Sequence, residues 1–162
     1  MNAQTGVETL QRSHGAAHAG FARVDGRVQL RELRQAGSAK AIILPGQVCE
    51  VVFLNTSGGL TGSDRLDYAL SLGHGCRLTA TTQTAERVYR SAGGQAQIGV
   101  QATLAPGAHL DWLPQETILF NRSAARRRTE IDMADDASCL MSETLVLGRA
   151  AMGEDVVQTA FT

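Results

Sequence analysis

The chain has 162 residues, 43% of them hydrophobic and 19% charged, and its formal charge is −1. This composition is too apolar for a disordered protein and has no positive excess that would mark a nucleic-acid or membrane-surface binder. Because no apolar run could cross a membrane and no secretory signal is recognisable, and because the three scattered cysteines suit a reducing cytosol, we expect an intracellular single-domain protein.

The predicted elements begin with a flexible arm over residues 1–20, which are rich in Gly, Ala, Gln, Ser and Thr. From Phe21 onward the apolar residues alternate with period two, which is typical of β-strands. The Asp25-Gly26 pair predicts a β-hairpin. Two short strands follow, a buried one over 41–44 and another over 49–54.

Three further segments are more ambiguous. The Gly-rich run 55–64 is interpreted as a tight turn where backbones approach closely, because no Gly-Lys-Ser/Thr follows it and the next pattern is a strand rather than a helix. Residues 85–91 suit either a helical turn or a strand. Residues 121–128, which carry four arginines, are predicted as a solvated loop, with a patch for an acidic partner as the alternative.

A repeat of about thirty residues organises the remaining strands. Alternating strands end at Leu72, Leu104 and Met133, with spacings of 32 and 29 residues (104 − 72 and 133 − 104). After a tight turn, each leads to a second strand whose anchor is Leu78, Leu110 or Leu140. This period predicts a mainly β, stacked, β-helix or solenoid-like domain with little helix. An ordinary antiparallel sandwich with evenly spaced hairpins is the alternative.

The sequence offers no convincing catalytic nucleophile. Neither Ser57 nor Ser91 lies in a Gly-x-Ser-x-Gly elbow. Cys76 has His74 nearby and His109 on the next repeat, so a reactive or metal-binding group is conceivable, but a cysteine alternating within a strand is more often a small buried residue. His14 and His18 lie four apart, a spacing that we interpret as incidental because both fall in the predicted arm.

Acidic residues within otherwise apolar segments are more informative: these are Glu86, Glu116, Glu130, Asp132 and Glu143. Glu130 and Asp132 are two residues apart, so in a strand both side chains point to the same face. That face is either a solvent-exposed surface or the wall of a polar interior channel that could pass a divalent cation.

Four segments in order resemble the urease accessory protein D family (UreD, also called UreH). They are residues 55–66 (NTSGGLTGSDRL), 81–91 (TTQTAERVYRS), 112–120 (WLPQETILF) and 145–154 (LVLGRAAMGE). The resemblance runs from about Phe21 to the C-terminus, so residues 21–162 are identified as the N-terminal part of a UreD-like β domain. Two departures accompany it: Ser63 stands where the family usually has a third glycine, and the chain ends at Thr162, a little over half the length of a typical member.

The resemblance implies a cytoplasmic scaffold rather than an enzyme. Such a scaffold joins accessory proteins F and G to apo-urease and helps to deliver nickel, which is transient cargo and not a stably bound cofactor. Because oxygen ligands hold nickel more weakly than nitrogen or sulfur ligands, Glu116, Glu130 and Asp132 are the candidates for a transient nickel path. Two alternatives stay open: a carboxylate-dependent hydrolase or lyase on a β-solenoid, and a purely structural β-stack.

Overall fold

The computed structural model describes residues 12–44, 46, 48–149, 153 and 155–162. Every regular element in this part of the chain is a β-strand, which confirms the predicted mainly β class. None of the described residues forms a helix of the length and apolar character needed to cross a membrane. The strands are β1 (His14–Val24), β2 (Arg27–Gly37), β3 (Ala39–Leu44), β4 (Cys49–Asn55), β5 (Arg65–Leu72), β6 (Arg77–Thr82), β7 (Glu86–Val88), β8 (Ala96–Leu104), β9 (His109–Trp112), β10 (Thr117–Leu119), β11 (Ala124–Met133), β12 (Ser138–Met141), β13 (Leu145–Leu147) and β14 (Ala160–Phe161).

The strands form three sheets that stack as the sides of a solenoid. Sheet A has the order β14-β11-β8-β5-β1-β2, sheet B has β12-β9-β6-β4-β3, and sheet C has β13-β10-β7. From β5 onward each coil of chain contributes one strand to each sheet, and the strands of successive coils pair in parallel. The three coils β5–β7, β8–β10 and β11–β13 confirm the solenoid-like prediction over the sandwich alternative.

Two antiparallel pairs, β1–β2 and β3–β4, form the N-terminal end of the stack. Asp25 and Gly26, with φ of 50° and 77°, form the turn of the predicted first hairpin. The predicted arm differs from the structure over residues 14–20, which lie in β1 and place Ala17 and Ala19 in the core. The hydrophobic pattern of this strand is weak because its small side chains bury little apolar area. Residues 1–11 of the predicted arm lie outside the described residues.

The register confirms one repeat column and corrects another. Leu72, Leu104 and Met133 pair in one row of sheet A, as the spacing predicts. In sheet B, however, Leu110 pairs with Cys139, and Leu140 faces outward with 56% of its surface exposed. Strands β11 and β12 of the third coil therefore each follow their counterparts in the second coil by 29 residues, and the predicted anchor at Leu140 was one residue too far. This is the one-residue register change that reverses the faces of a strand.

Three other segments also differ from, or refine, the sequence prediction. The strand predicted as buried over 41–44 is part of β3, an edge strand with Ile42 and Leu44 exposed. Residues 86–88 form β7, which settles the helix-or-strand question for 85–91. Residues 124–128 begin β11, so the predicted loop over 121–128 is wrong for most of its length.

The Gly-rich run 55–64 packs its backbone against later chain. A Cβ atom added to Gly62 would lie 2.1 Å from the carbonyl oxygen of Gly93, and one added to Gly59 would lie 2.9 Å from that of Arg87. These contacts confirm the tight-turn interpretation. Ser63 has φ of 70°, so this departure from the family glycine lies in the left-handed region that favours glycine.

The coils differ chiefly at the corner between sheets C and A. This corner spans 89–95 between β7 and β8 but only 120–123 between β10 and β11. The corners between sheets A and B, 73–76, 105–108 and 134–137, are equal in length. The offset between paired residues falls from 32 in sheet B (Leu78 to Leu110) to 31 in sheet C (Val88 to Leu119) and then to 29 in the next strand of sheet A (Ile98 to Arg127). The C–A corner therefore accounts for two of the three residues by which the repeat shortens.

Candidate functional site

The two carboxylates predicted to share a face lie on the outside of sheet A. Glu130 and Asp132 of β11 pair with Gln101 and Thr103 of β8, which are exposed residues alternating with buried ones. The Glu130 carboxylate accepts a hydrogen bond of 2.6 Å from Arg128 Nη2, and 43% of its side chain is exposed. The structure thus differs from the interior-channel interpretation of this pair.

Glu116 lies elsewhere, in the connection 113–116 that leads into sheet C. Its carbonyl oxygen accepts a 2.9 Å hydrogen bond from the backbone N–H of Glu86. Among the described residues, no group of three or more His, Cys, Asp or Glu side chains is placed to hold a metal ion. Contact of Glu116, Glu130 or Asp132 with nickel in transit stays a prediction.

The sulfur and imidazole candidates are neighbours through the backbone, where the His109 N–H donates 2.8 Å to the Cys76 carbonyl, but their side chains have different surroundings. Cys76 is fully buried, and burial raises the pKa of its thiol, which keeps it protonated. His109 instead lies between two partners on sheet B: its Nδ1 is 2.7 Å from Ser138 Oγ and its Nε2 is 3.1 Å from Asp111 Oδ1. The possible Cys76–His109 pair is therefore not formed.

His18 and Ser57 have local structural contacts. His18 belongs to β1, and its Nε2 lies 3.0 Å from Ser71 Oγ of the neighbouring strand β5. The Ser57 hydroxyl oxygen lies 2.7 Å from Asn55 Oδ1 and 2.9 Å from the carbonyl oxygen of Gly59, so its single O–H can donate to either. Such bonds within a turn are typical of Ser and Asn side chains and rigidify the Gly-rich run.

A polar cluster inside the solenoid is the feature that sequence reasoning missed. In sheet A, Leu66, Ile98 and Arg127 occupy one row of the register, so an arginine stands where the earlier coils have apolar residues. Only 8% of the Arg127 side chain is exposed. Its Nη1 donates 2.9 Å to Thr117 Oγ1, and its Nε lies 3.3 Å from Glu143 Oε1.

Glu86, the first residue of β7, carries the second charge of this cluster. The Asn55 side-chain amide donates to both carboxylate oxygens at 3.2 Å. Burial raises the pKa of the Glu86 carboxyl, while the Asn55 bond and the Arg127 charge act in the opposite direction. Burial also raises the pKa of the Tyr68 phenol; Glu86 adds to that rise and Arg127 opposes it.

These side chains close the interior at this level. The cavity left among them measures about 10 Å³ and is lined by Tyr68, Glu86, Arg127 and their neighbours. That volume is near the least that one water molecule requires. In this conformation the cluster can hold charge in a polar, nearly dry setting, but the cavity has no room for a hydrated metal ion.

Aligning the repeats by 29 residues would have placed Arg127 on the inward face, because Ile98 precedes it by that spacing.

Comparisons with known proteins cover almost the whole chain. A family model described as UreD urease accessory protein matches residues 13–162. A urease accessory protein UreD from Cereibacter sphaeroides (strain ATCC 17025) is 57% identical, over 99% of this chain and 60% of the relative. A protein of the same name from Dinoroseobacter shibae is 55% identical over 94% of this chain and 55% of the relative. Another from Rhizobium leguminosarum bv. trifolii is 45% identical over 93% of this chain and 56% of the relative. The chain thus spans a little more than half the length of these relatives.

Proposed function

The chain belongs to the UreD family of urease accessory proteins, and we propose that it acts as a non-enzymatic scaffold in urease maturation, joining accessory proteins F and G to apo-urease in the cytoplasm. The observation that carries this proposal is the family match over residues 13–162. The fold supports it physically. A stack of paired strands gives broad, rigid faces, and such extended surfaces suit protein–protein contact.

The proposal extends to nickel as transient cargo. Glu116, Glu130 and Asp132 offer carboxylate oxygens, which bind nickel weakly enough to pass it on. Glu130 lines a groove of about 400 Å³ on the outer face of sheet A, together with Asp67 and Gln101. Because the space beside Arg127 measures only about 10 Å³, a path over the outer face of sheet A, covered by a partner, suits Glu130 and Asp132 better than one through the interior.

A pull-down with the 162-residue chain as bait tests the scaffold role. Purified accessory protein F, accessory protein G and apo-urease are offered separately, and we expect saturable capture of at least one of them. A folded chain that captures none of the three would contradict the proposal for this chain. Circular dichroism before and after immobilisation verifies the fold of the bait.

Nickel handling needs its own variants. In cells that mature urease with this chain, replacing Glu130 and Asp132 together by alanine should lower the nickel content of purified urease, and adding Glu116→Ala should lower it further. Glu50→Ala is the matched control, since Glu50 is an exposed acid of β4 that does not line the outer groove. Normal nickel content in the triple variant would refute the assigned path without touching the scaffold role.

A further inference from the structure

Three arginines line one cleft at the hairpin end of the stack. The cleft measures about 780 Å³, and Arg23, Arg27 and Arg77 are among its walls, with Gly26 and Gly75 between them. Arg23 and Arg27 flank the β1–β2 turn, and Arg77 begins β6. All three side chains belong to exposed residues, so they are accessible from solution.

In the described part of the chain, none of these three arginines has an acidic partner, whereas four other arginines do. Within the described residues, no hydrogen bond or ion pair joins any of the three guanidinium groups to a carboxylate. Several other arginines are paired with acids: Arg34, Arg65, Arg127 and Arg128. The chain as a whole has a charge of −1, so the local positive charge does not reflect general basicity.

The backbone around the cleft leaves room for a ligand. Arg23 Nη1 lies 3.5 Å from the place that a Cβ of Gly75 would occupy, so this guanidinium extends along the β5–β6 turn. A Cβ at Gly26 would contact no atom within 4 Å, so the hairpin turn stays open. Asp25 and Glu50 adjoin the lining residues Gly26 and Cys49 in sequence, and neither acid lines the cleft.

We propose that this arginine cleft binds a small anion that carries two or more phosphate or carboxylate groups. A guanidinium donates two parallel N–H bonds to either group, which is why arginine predominates where such groups are recognised. Three like charges around one opening repel each other, and a bound polyanion removes that repulsion. The volume exceeds that of a single phosphate and accommodates a ligand with several anionic groups. The inference is independent of the urease role.

Isothermal titration calorimetry of the 162-residue chain at low salt tests the cleft, with pyrophosphate and citrate as separate probes. We expect saturable 1:1 binding of at least one probe, and the probe that binds better identifies the anionic group. Arg27→Ala and Arg77→Ala should each weaken binding by roughly tenfold, the effect of losing one charge-assisted hydrogen bond. Arg31→Ala is the control, because Arg31 is an exposed arginine of β2 outside the cleft, and it should change affinity less than twofold.

Two outcomes would overturn the inference. The first is that neither probe binds with saturation to a chain whose circular dichroism spectrum shows it to be folded. The second is that Arg31→Ala weakens binding as much as Arg77→Ala, which would reduce the effect to general electrostatic attraction. Thermal unfolding of every variant separates loss of binding from loss of fold.

Discussion

Arg127→Ala is the substitution that most directly tests the interior cluster. The side chain is 8% exposed and contacts Thr117 and Glu143 directly, while its charge offsets that of Glu86. Removing one partner of a buried ion pair costs about 3–5 kcal/mol. Because the Glu143 side chain is itself 33% exposed, we expect the lower end, about 3 kcal/mol. For a chain of this size that loss corresponds to a fall in Tm of about 6–12 °C.

The neighbouring residue supplies a matched control. Arg128 also bonds a carboxylate, that of Glu130, but 67% of its side chain is exposed. Exposed pairs contribute below about 1 kcal/mol, so Arg128→Ala should lower Tm by less than about 4 °C. Arg127→Lys should lie between, because one ammonium keeps the charge but lacks the fork that spans both partners of Arg127.

Thermal unfolding followed by circular dichroism at 0.15 M and 1 M NaCl is the assay. High salt screens the exposed pair and leaves the buried one largely intact. The fall in Tm caused by Arg127→Ala should therefore stay larger than that caused by Arg128→Ala at both salt concentrations. Equal and small shifts in Tm for Arg127→Ala and Arg128→Ala would refute the buried-charge argument.

Three further predictions concern single residues. Burial holds the pKa of Glu86 above its ordinary value of 4.5. Protonated Glu86 therefore stabilises the fold at acid pH, and this stabilisation is lost as pH rises through the raised pKa. In Glu86→Gln, the urea midpoint of unfolding should fall less over that pH range than in the parent chain, and an unchanged pH profile would contradict the argument. Ser63→Gly should raise the unfolding free energy by about 0.5–1 kcal/mol by relieving a positive φ, whereas an equal gain from Ser63→Ala would point to another cause. Gly62→Ala should lower the unfolding free energy by about 1–3 kcal/mol, because its Cβ would lie 2.1 Å from a carbonyl oxygen. Gly93→Ala is the control, since its Cβ would contact no atom within 4 Å. Similar losses in both variants would count against the contact.

The periodic part of this fold is readable from sequence because its signal is local. Alternation marks each strand, and the recurrence of Leu72, Leu104 and Met133 marks the stack. A parallel solenoid repeats the same side-chain row in each coil, so spacing alone carries the register. The prediction failed at Leu140, where an apolar residue next to the true inward position, Cys139, has the stronger hydrophobic signal.

The polar site was harder to predict because its meaning depends on neighbours far along the chain. Nothing in the run of arginines from Arg126 to Arg128 says which one turns inward, and only the pairing of Arg127 with Ile98 decides it. The acids show the same limit. Glu130 and Asp132 do share a face, as alternation requires, but alternation does not say whether that face is inside or outside.

The variable corner between sheets C and A offers a position for a spectroscopic reporter. Gly93 is exposed in the longer of these corners, and a side chain there would meet no atom within 4 Å. Burial raises the pKa of all three native thiols, Cys49, Cys76 and Cys139, which slows their alkylation. A Gly93→Cys chain should therefore react with a maleimide fluorophore chiefly at one site. Emission from that dye would follow the approach of other proteins to this edge of the stack without altering its strands.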